Sequence, residues 1–292
     1  MNEQYVNKNN EVKPHDCPDE QKGCKPLVSV IIACHNAYSY IDECLESLVK
    51  QTYPHFEMII CDDASSDNSW SKLRKWSEAD RRTVLLRNEK NMGAGYTRNR
   101  CLEAASGDFL MIQDIDDYSS PQRIELLLDA LTKEPGIDFV SSLMQPFGQD
   151  GSPSRVLFEG KGRRKEHPSK WDFLWVLPFA HATTMFRREV LTSIKGYRID
   201  AQVNRQEDYE MMMRAYAHGY RGKNLDIVLY FYRYDISNIG RIQGQGLSNY
   251  AKVRFQGFKA MGLLPWGLPF VLKPYFAHLY HLVLLRKKRL AV

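Results

Sequence analysis

Phe109-Leu110-Met111-Ile112-Gln113-Asp114-Ile115-Asp116-Asp117 is an apolar run that ends in three carboxylates within four positions. The apolar part reads as a buried strand, and the acids fall in the loop at its carboxyl end. In an open α/β sheet that edge is where ligands bind. Carboxylates crowded there repel one another unless a cation joins them. Hard oxygen donors with no Cys or His beside them favour Mg²⁺ or Mn²⁺ over zinc, and such an ion commonly binds through one or two carboxylates and the substrate's phosphates. The plainer reading is an acidic turn capping the helix that begins near Pro121. That suits most Asp-rich loops, but such a turn seldom follows a strand this apolar, so the run points to a metal site.

Working outward, the chain has an α/β rhythm from Leu27 onward. LVSVIIAC is a β-branched run of the kind buried on both faces. Tyr40 to Leu48 has apolar residues at helical spacing, ended by Tyr53-Pro54. FEMIIC is a second strand, a helix carrying Trp70, Leu73 and Trp76 follows, and TVLLR is a third strand. Tyr96 to Ala105 is helical, stopped by Gly107 before the strand into the acidic loop. This alternation predicts a mostly parallel sheet flanked by helices.

The rhythm weakens after Gln145. Residues 145–170 are dense in Gly, Pro, Ser and basic residues and read as a long mobile loop. From Trp171 to Arg233 the pattern is ordered but mixed. The expected organisation is a disordered tail over 1–26, a domain over 27–240 split into a ligand-binding half (27–144) and a second half (145–240), and a C-terminal tail over 241–292. Within that tail Gly262 to Leu285 is apolar but interrupted by Pro265, Pro269, Lys273 and Pro274, and it ends in Arg286-Lys287-Lys288-Arg289. A membrane span needs about twenty uninterrupted apolar residues. A membrane-surface segment with a basic anchor, or a helix packed on the domain, fits better.

Composition sets broad bounds. The 292 residues are 43% hydrophobic and 26% charged, as in ordinary globular proteins. The net charge of +5 suits anionic substrates or lipid headgroups. No helix carries a basic face interleaved with aromatics, so nucleic acid is not an expected partner. The six cysteines, Cys17, Cys24, Cys34, Cys44, Cys61 and Cys101, include no CxxC pair, and Cys34 and Cys61 fall in buried strands. That favours a reducing compartment over a disulfide framework. The polar N-terminus is no signal peptide, so the expected location is cytoplasmic, with a possible peripheral contact on the cytoplasmic face of a membrane.

Further segments fall where a nucleotide-sugar site would need them. Ala33-Cys34-His35-Asn36 closes the first strand and Cys61-Asp62-Asp63 the second, so both ends lie on the binding edge. A carboxylate there can accept a uracil N–H, and His35 can stack on the base. Asn91-Met92-Gly93-Ala94-Gly95 leads into a helix bearing Arg98, where glycine lets the backbone approach a ligand and the cation suits a diphosphate. Taken singly, Asp-Asp before Ser-Ser is often only a turn or an N-cap. Arg205-Gln206-Glu207-Asp208-Tyr209-Glu210 opens the apolar-periodic helix Met211 to Ala217. Acids there often only complement the helix dipole, but a transferase that activates a sugar hydroxyl needs a carboxylate base.

VSVIIACHN, CDDASSD, NMGAGYTRN, the QDIDD loop and QEDYE resemble, in order, the motifs of the family 2 inverting glycosyltransferases of GT-A (Rossmann-like) fold. The resemblance runs from about Leu27 to Arg233. It implies a metal-dependent transferase acting from a UDP-sugar on a glycan or glycolipid acceptor. Asp63 would hold the uracil, with His35 against the base and Asn36, Asn91, Gly93 and Arg98 beside the nucleotide-sugar. Asp114 and Asp116 would form the DxD pair, with Asp116 or Asp117 on Mn²⁺ or Mg²⁺. Asp208 would be the catalytic base and Glu207 the second candidate. PQRIELL and LYFYRYD are similar to the animal β-1,3-N-acetylglucosaminyltransferase-like branch, and bacterial capsule and lipopolysaccharide transferases are similar too. UDP-GlcNAc is therefore the first expected donor.

Two departures qualify the match. Many members read Tyr-Arg-x-His near the end, where this chain has Tyr232-Arg233-Tyr234-Asp235, so a metal ligand from that segment is not expected. The Gln-x-x-Arg-Trp motif and the membrane helices of processive synthases are missing, so addition of a single sugar is expected. A glycoside hydrolase, a nucleotidyltransferase and a non-catalytic sugar-nucleotide-binding protein are the rival readings. The hydrolase needs neither a diphosphate cradle nor a metal.

Overall fold

The computed structural model describes residues 25–148, 165–203, 205–234 and 247–272. β1 (Val28–Cys34), α1 (Ile41–Val49), β2 (Phe56–Asp62), α2 (Ser69–Ala79), β3 (Thr83–Arg87), α3 (Ala94–Ala104) and β4 (Phe109–Asp114) follow the expected alternation. Then come β5 (Tyr118–Ser119), α4 (Arg123–Lys133), β6 (Phe139–Phe147), β7 (Met185–Arg187), α5 (Arg188–Ser193), α6 (Glu207–Ala217) and β8 (Gly222–Arg233). α7 (Leu247–Ala260) and α8 (Leu268–Val271) close the described chain, and short 3-10 turns lie at Lys170–Leu174 and His181–Thr183.

One eight-stranded sheet runs β3-β2-β1-β4-β7-β6-β8-β5. β3, β2, β1 and β4 are parallel, β6 pairs parallel with β8, and β7 and β5 run antiparallel to their neighbours. The sheet is therefore mostly parallel, as the apolar strands predict. Alternate residues of β1 feed opposite faces. Ile31 joins a core with Cys101 of α3 and Met211 of α6, while Val30 and Ile32 join one with Leu45 of α1 and Leu127 of α4. A strand covered on both faces is apolar at nearly every position, which is why VSVIIAC carries no alternation; its one polar residue, Ser29, donates to Glu57 at 2.6 Å.

Cys34 pairs with Asp62 in the β1–β2 register, and Ala33 pairs with Asp114 in the β1–β4 register. The carboxyl ends of β2, β1 and β4 thus lie side by side, and each delivers its motif to one edge.

Two expected boundaries move. Residues 145–147 belong to β6 rather than to a loop, and Pro146 sits in register with Tyr232 of β8. Of the remaining expected loop, 149–164 lies outside the described residues, and Lys170 at its end opens a 3-10 turn. Part of the expected C-terminal tail is packed structure. In α7, Val253 and Phe258 are buried in the α3–α6 core, and Gly257 lies so near Met213 that a Cβ would run into its sulfur. Among the described residues no helix is long and apolar enough to cross a membrane. The N-terminal tail through residue 24 and the basic end Arg286–Arg289 lie outside the described residues. Cys34, Cys44, Cys61 and Cys101 are buried free thiols.

Candidate active site

Just beyond β1, His35 spans the strand ends: its Nδ1 lies 2.9 Å from the Asp63 carbonyl and its Nε2 3.1 Å from the Asn91 amide nitrogen. That pattern makes Nδ1 the protonated nitrogen, since the carbonyl can only accept. Asn36 adopts a left-handed backbone, φ 49°, and its Oδ1 accepts from the Ser66 N–H at 2.8 Å. Asn tolerates that conformation better than other side chains, so the residue type fits the turn.

Asp63 is buried and pins the next loop. Its carboxylate accepts from the Asn88 side chain at 2.7 Å, the Met92 N–H at 2.8 Å and the Gly93 N–H at 2.9 Å. A carboxylate offers about four acceptor positions, so roughly one is left for a ring N–H. Gly93 has φ +85°, and nothing lies within 4 Å of where a Cβ would stand, so the turn demands glycine and leaves open space above it. The helix N-terminus is not a bare phosphate cradle. Just ahead of α3 the Met92 and Gly93 N–H groups are taken by Asp63, and in its first turn the Arg198 carbonyl and Glu207 pack over Gly95, 3.3 and 3.4 Å from where a Cβ would stand.

Arg98 projects from α3 into the cleft and donates to Asp114 at 2.7 Å. Burial would raise the Asp114 carboxyl, but Arg98 outweighs it and holds the group below the usual carboxylate range. Asp114 is therefore an anion that fixes a cation at the end of β4. The Nε of Arg98 is buried with no hydrogen-bond partner among the described residues.

The three acids of the loop have different surroundings. Asp116 is exposed, and no other described residue hydrogen-bonds its carboxylate. Although the side chain reaches solvent, the surrounding protein disfavours its charged form, and repulsion from Asp114 adds to this, so its proton affinity is raised. Asp117 is 2% exposed; one oxygen accepts from Tyr230 Oη at 2.8 Å and the other from the Arg233 N–H at 2.7 Å. Burial, with repulsion from Asp116 and Asp114, raises it to about 8. Each Asp117 oxygen thus spends an acceptor position on tying β8 to the loop, which leaves it less open to an ion than Asp116. Among the described residues no group of three or more His, Cys, Asp or Glu is arranged to hold an ion by itself. Asp116, with Asp114, still fits a hard divalent ion that takes its remaining ligands from a substrate's phosphates. Asp235 lies outside the described residues.

Beneath the loop sits a fully buried cation. Arg123 donates to Gln113 Oε1, the Ile112 carbonyl and the Ala182 carbonyl, each at 2.7 Å, and to Ser119 Oγ at 2.8 Å. Gln113 in turn donates to the carbonyls of Asp114 and Asp117. Burial pulls Arg123 down to about 10, so it remains charged at neutral pH. This underpinning was not read from the sequence as a support. Its signal is a Gln at the end of an apolar strand and an Arg opening an apolar helix.

Asp208 and Glu207 open α6, and both line the same cleft of about 490 Å³ as Arg98 and Asp114. Adjacent residues on a helix point about 100° apart, yet both acids line this cleft. Burial raises the Asp208 carboxyl above its ordinary value, partly offset by its hydrogen bond from the Tyr209 N–H and by Arg98. His181 and Tyr232 also line the cleft and were not singled out in the sequence. His181 donates to or accepts from Tyr197 Oη at 2.7 Å, and burial with Arg98 nearby lowers it to about 3, so its ring is neutral.

The cleft thus gathers Arg98, Asp114, Glu207 and Asp208, while His35, Asn36, Asp63, Asn91 and Gly93 form a connected wall at the β1–β2 ends. Comparison with known proteins bears on the arrangement. Residues 29–194 match the family described as glycosyl transferase family 2. The putative glycosyltransferase EpsE of Bacillus subtilis (strain 168) is 32% identical over 212 residues, covering 72% of this chain and 74% of that protein. The S. aureus TarS fragment 1–349, solved with UDP-GlcNAc, superposes with a TM-score of 0.64 at 22% identity, covering 80% of this chain and 66% of the fragment. The mannosyltransferase PcManGT of Pyrobaculum calidifontis, solved with GDP-Man and Mn²⁺, gives 0.61 at 22% identity over 92% of this chain and 81% of its own. The two structural likenesses are likenesses of fold.

Proposed function

The chain belongs to glycosyl transferase family 2 and is a glycosyltransferase of GT-A fold, and from that premise we propose that it is an inverting, metal-dependent, non-processive enzyme moving one sugar from a UDP-sugar to a hydroxyl of a glycan or glycolipid. The observation that carries this reading is the cleft shared by Asp208, Arg98 and Asp114. A carboxylate of raised proton affinity and a fixed cation on one cavity are what displacement of a diphosphate by a hydroxyl requires.

Asp208 takes the proton of the acceptor hydroxyl. The acceptor oxygen bonds to the anomeric carbon from the face opposite the diphosphate. The bond from that carbon to the β-phosphate oxygen breaks, and UDP leaves with the electron pair. One displacement inverts the configuration. Arg98, steadied by Asp114, balances the charge that develops on the departing diphosphate. Asp63 offers its remaining acceptor position to the uracil N–H, and His35 lies against the base. Asp116 with Asp114 would hold Mg²⁺ or Mn²⁺ jointly with diphosphate oxygens, and the bound ion supplies Lewis acidity and charge neutralisation. The ligands named for the TarS and PcManGT structures, UDP-GlcNAc and GDP-Man with Mn²⁺, support testing a nucleotide-sugar with a divalent ion, UDP-GlcNAc first.

The test is incubation with UDP-GlcNAc, UDP-glucose and UDP-galactose in the presence of Mn²⁺. UDP should be released from at least one of them, and EDTA should stop the release. With pyrophosphate added, formation of UTP and a sugar 1-phosphate would make the protein a nucleotidyltransferase. UDP binding without turnover would make it a sugar-nucleotide-binding protein.

A further inference from the structure

The positive charge of the protein is gathered at one end of its sequence. All 35 acidic residues fall within the first 235 positions, where they outnumber 31 basic ones. The 57 residues after Asp235 carry nine Lys and Arg and no acid. α7 and α8 belong to that end. We propose that the face built by residues 265–272 and the neighbouring residues 175–176 docks on an anionic lipid bilayer, its apolar side chains entering the headgroup boundary while nearby cations meet the lipid phosphates. The inference does not depend on the transferase reading.

The two stretches form one fixed platform. Arg254 of α7 donates through Nη1 to the Leu174 carbonyl at 3.2 Å and to the Phe270 carbonyl at 3.1 Å. The Trp175 ring meets that of Phe270 edge-on at 4.7 Å. Gly267 lies so near Phe258 that a Cβ would stand 2.8 Å from its ring. Leu263 and Val271 turn inward and join the α3–α6 core. A helical segment resting on a core normally carries polar residues on its outer side. Here the outer side is apolar too. Trp266 is 72% exposed, and Leu268 and Leu272, four residues apart along α8, are exposed with it. Trp175 is 60% exposed, and Val176 is exposed beside it. No charged residue interrupts 265–272. Large apolar side chains gathered in this way mark an interaction surface.

Residue type and charge choose the occupant. Tryptophan is enriched where a membrane meets water, because its ring is apolar and its N–H is polar. Lys252 and Lys259, on α7 just before the run, are exposed. The 20 residues that follow Leu272 hold five more cations, no acid and an apolar majority. Apolar side chains flanked by cations fit the boundary of an anionic bilayer, where each part strengthens the other. A second copy of the chain would set these cations against their own kind, and like charges repel across an interface. Leu177, two residues past Trp175, lines the cleft, so docking here brings the cleft close to the lipid surface.

The test is co-sedimentation of the full-length protein with phosphatidylcholine vesicles, with and without phosphatidylglycerol, at low and at high salt. Affinity should be at least about tenfold higher for the vesicles that contain phosphatidylglycerol, and it should fall as salt rises. Trp266→Ser combined with Leu268→Ser and Leu272→Ser removes the apolar face and keeps every cation. That variant should bind the anionic vesicles at least about tenfold more weakly, with its circular dichroism spectrum unchanged, and Trp266→Ser alone should give part of the loss. Unchanged vesicle binding by both variants overturns the proposal, because the cations alone would then hold the lipid. Equal affinity for the two kinds of vesicle overturns it too. So does a wild-type protein that binds neither. Sedimentation equilibrium would then assign the face to a second copy if the protein is a dimer that the triple variant separates, and to the chain's own residues 273–292 if it is a monomer.

Discussion

Between β1 and β4 His35, Asn36, Asp63 and Asp114 stand at or just past the ends of parallel strands, whereas beyond β6 the residues that line the cleft arrive from unrelated elements. His35, Asp63 and Asp114 follow consecutive strand ends in register. His181 comes from a 3-10 turn, Asp208 from a helix end and Tyr232 from the last strand. In the first half one backbone pattern, repeated, fixes where the chemistry falls. In the second half the chemistry depends on tertiary contacts that no local pattern encodes.

The acidic loop joins the two halves and gives the largest contrast to test. Asp116→Asn should lower turnover by at least about 10²-fold, in line with loss of a charge that anchors the metal and diphosphate. Asp117→Asn should leave turnover within about tenfold, because that carboxyl is tied to Tyr230 and Arg233 inside the fold. Steady-state rates at saturating Mn²⁺ decide; the reverse ranking would return the metal to Asp117.

Next in size is the support under the loop. Arg123→Met would leave Gln113 and two buried carbonyls short of donors. The expected loss of stability is about 3–5 kcal/mol, read from denaturant midpoints. A loss under about 1 kcal/mol would mean that the loop holds its shape without that cation.

Asp63 gives the third effect. Asp63→Ala should weaken UDP binding by roughly one to two decades, the worth of a charge-assisted hydrogen bond. It should also loosen the Asn91–Gly93 loop, since the carboxylate pins the Met92 and Gly93 N–H groups. Calorimetry and amide exchange together separate the two. Unchanged UDP affinity with faster loop exchange would leave Asp63 a structural clamp and nothing more.

The contrast between the halves also sets what was legible. The apolar strands, the alternation and the strand-end motifs were readable because both faces of the sheet are covered. The extent of β6 was not, since Pro146 looks like a breaker in isolation yet sits in the β8 register at the strand's end. α7 was hidden for a similar reason. Its buried Val253 and Phe258 lie in a polar helix that leads into a Pro- and Gly-rich run, and its packing rests on tertiary contacts such as that of Gly257 with Met213. The three acids of the loop look alike in one dimension. What separates Asp117 from Asp116 is Tyr230, 113 residues further along. His181 gave no signal at all: a lone His among apolar neighbours is ordinary.

The most direct test of the account is Asp208→Asn beside Glu207→Gln, with transfer rate, its pH profile and UDP affinity measured on each. Burial raises Asp208 above the ordinary carboxylate value, and a base must be deprotonated to work. The wild-type rate should therefore climb with pH through a limb displaced upward from that ordinary value. In Asp208→Asn the limb should vanish and transfer should fall by at least about 10²-fold, with UDP affinity kept and Glu207→Gln losing less. If Glu207→Gln instead takes the limb and the rate, with UDP affinity intact in both variants, Asp208 is not the base and the central assignment is wrong.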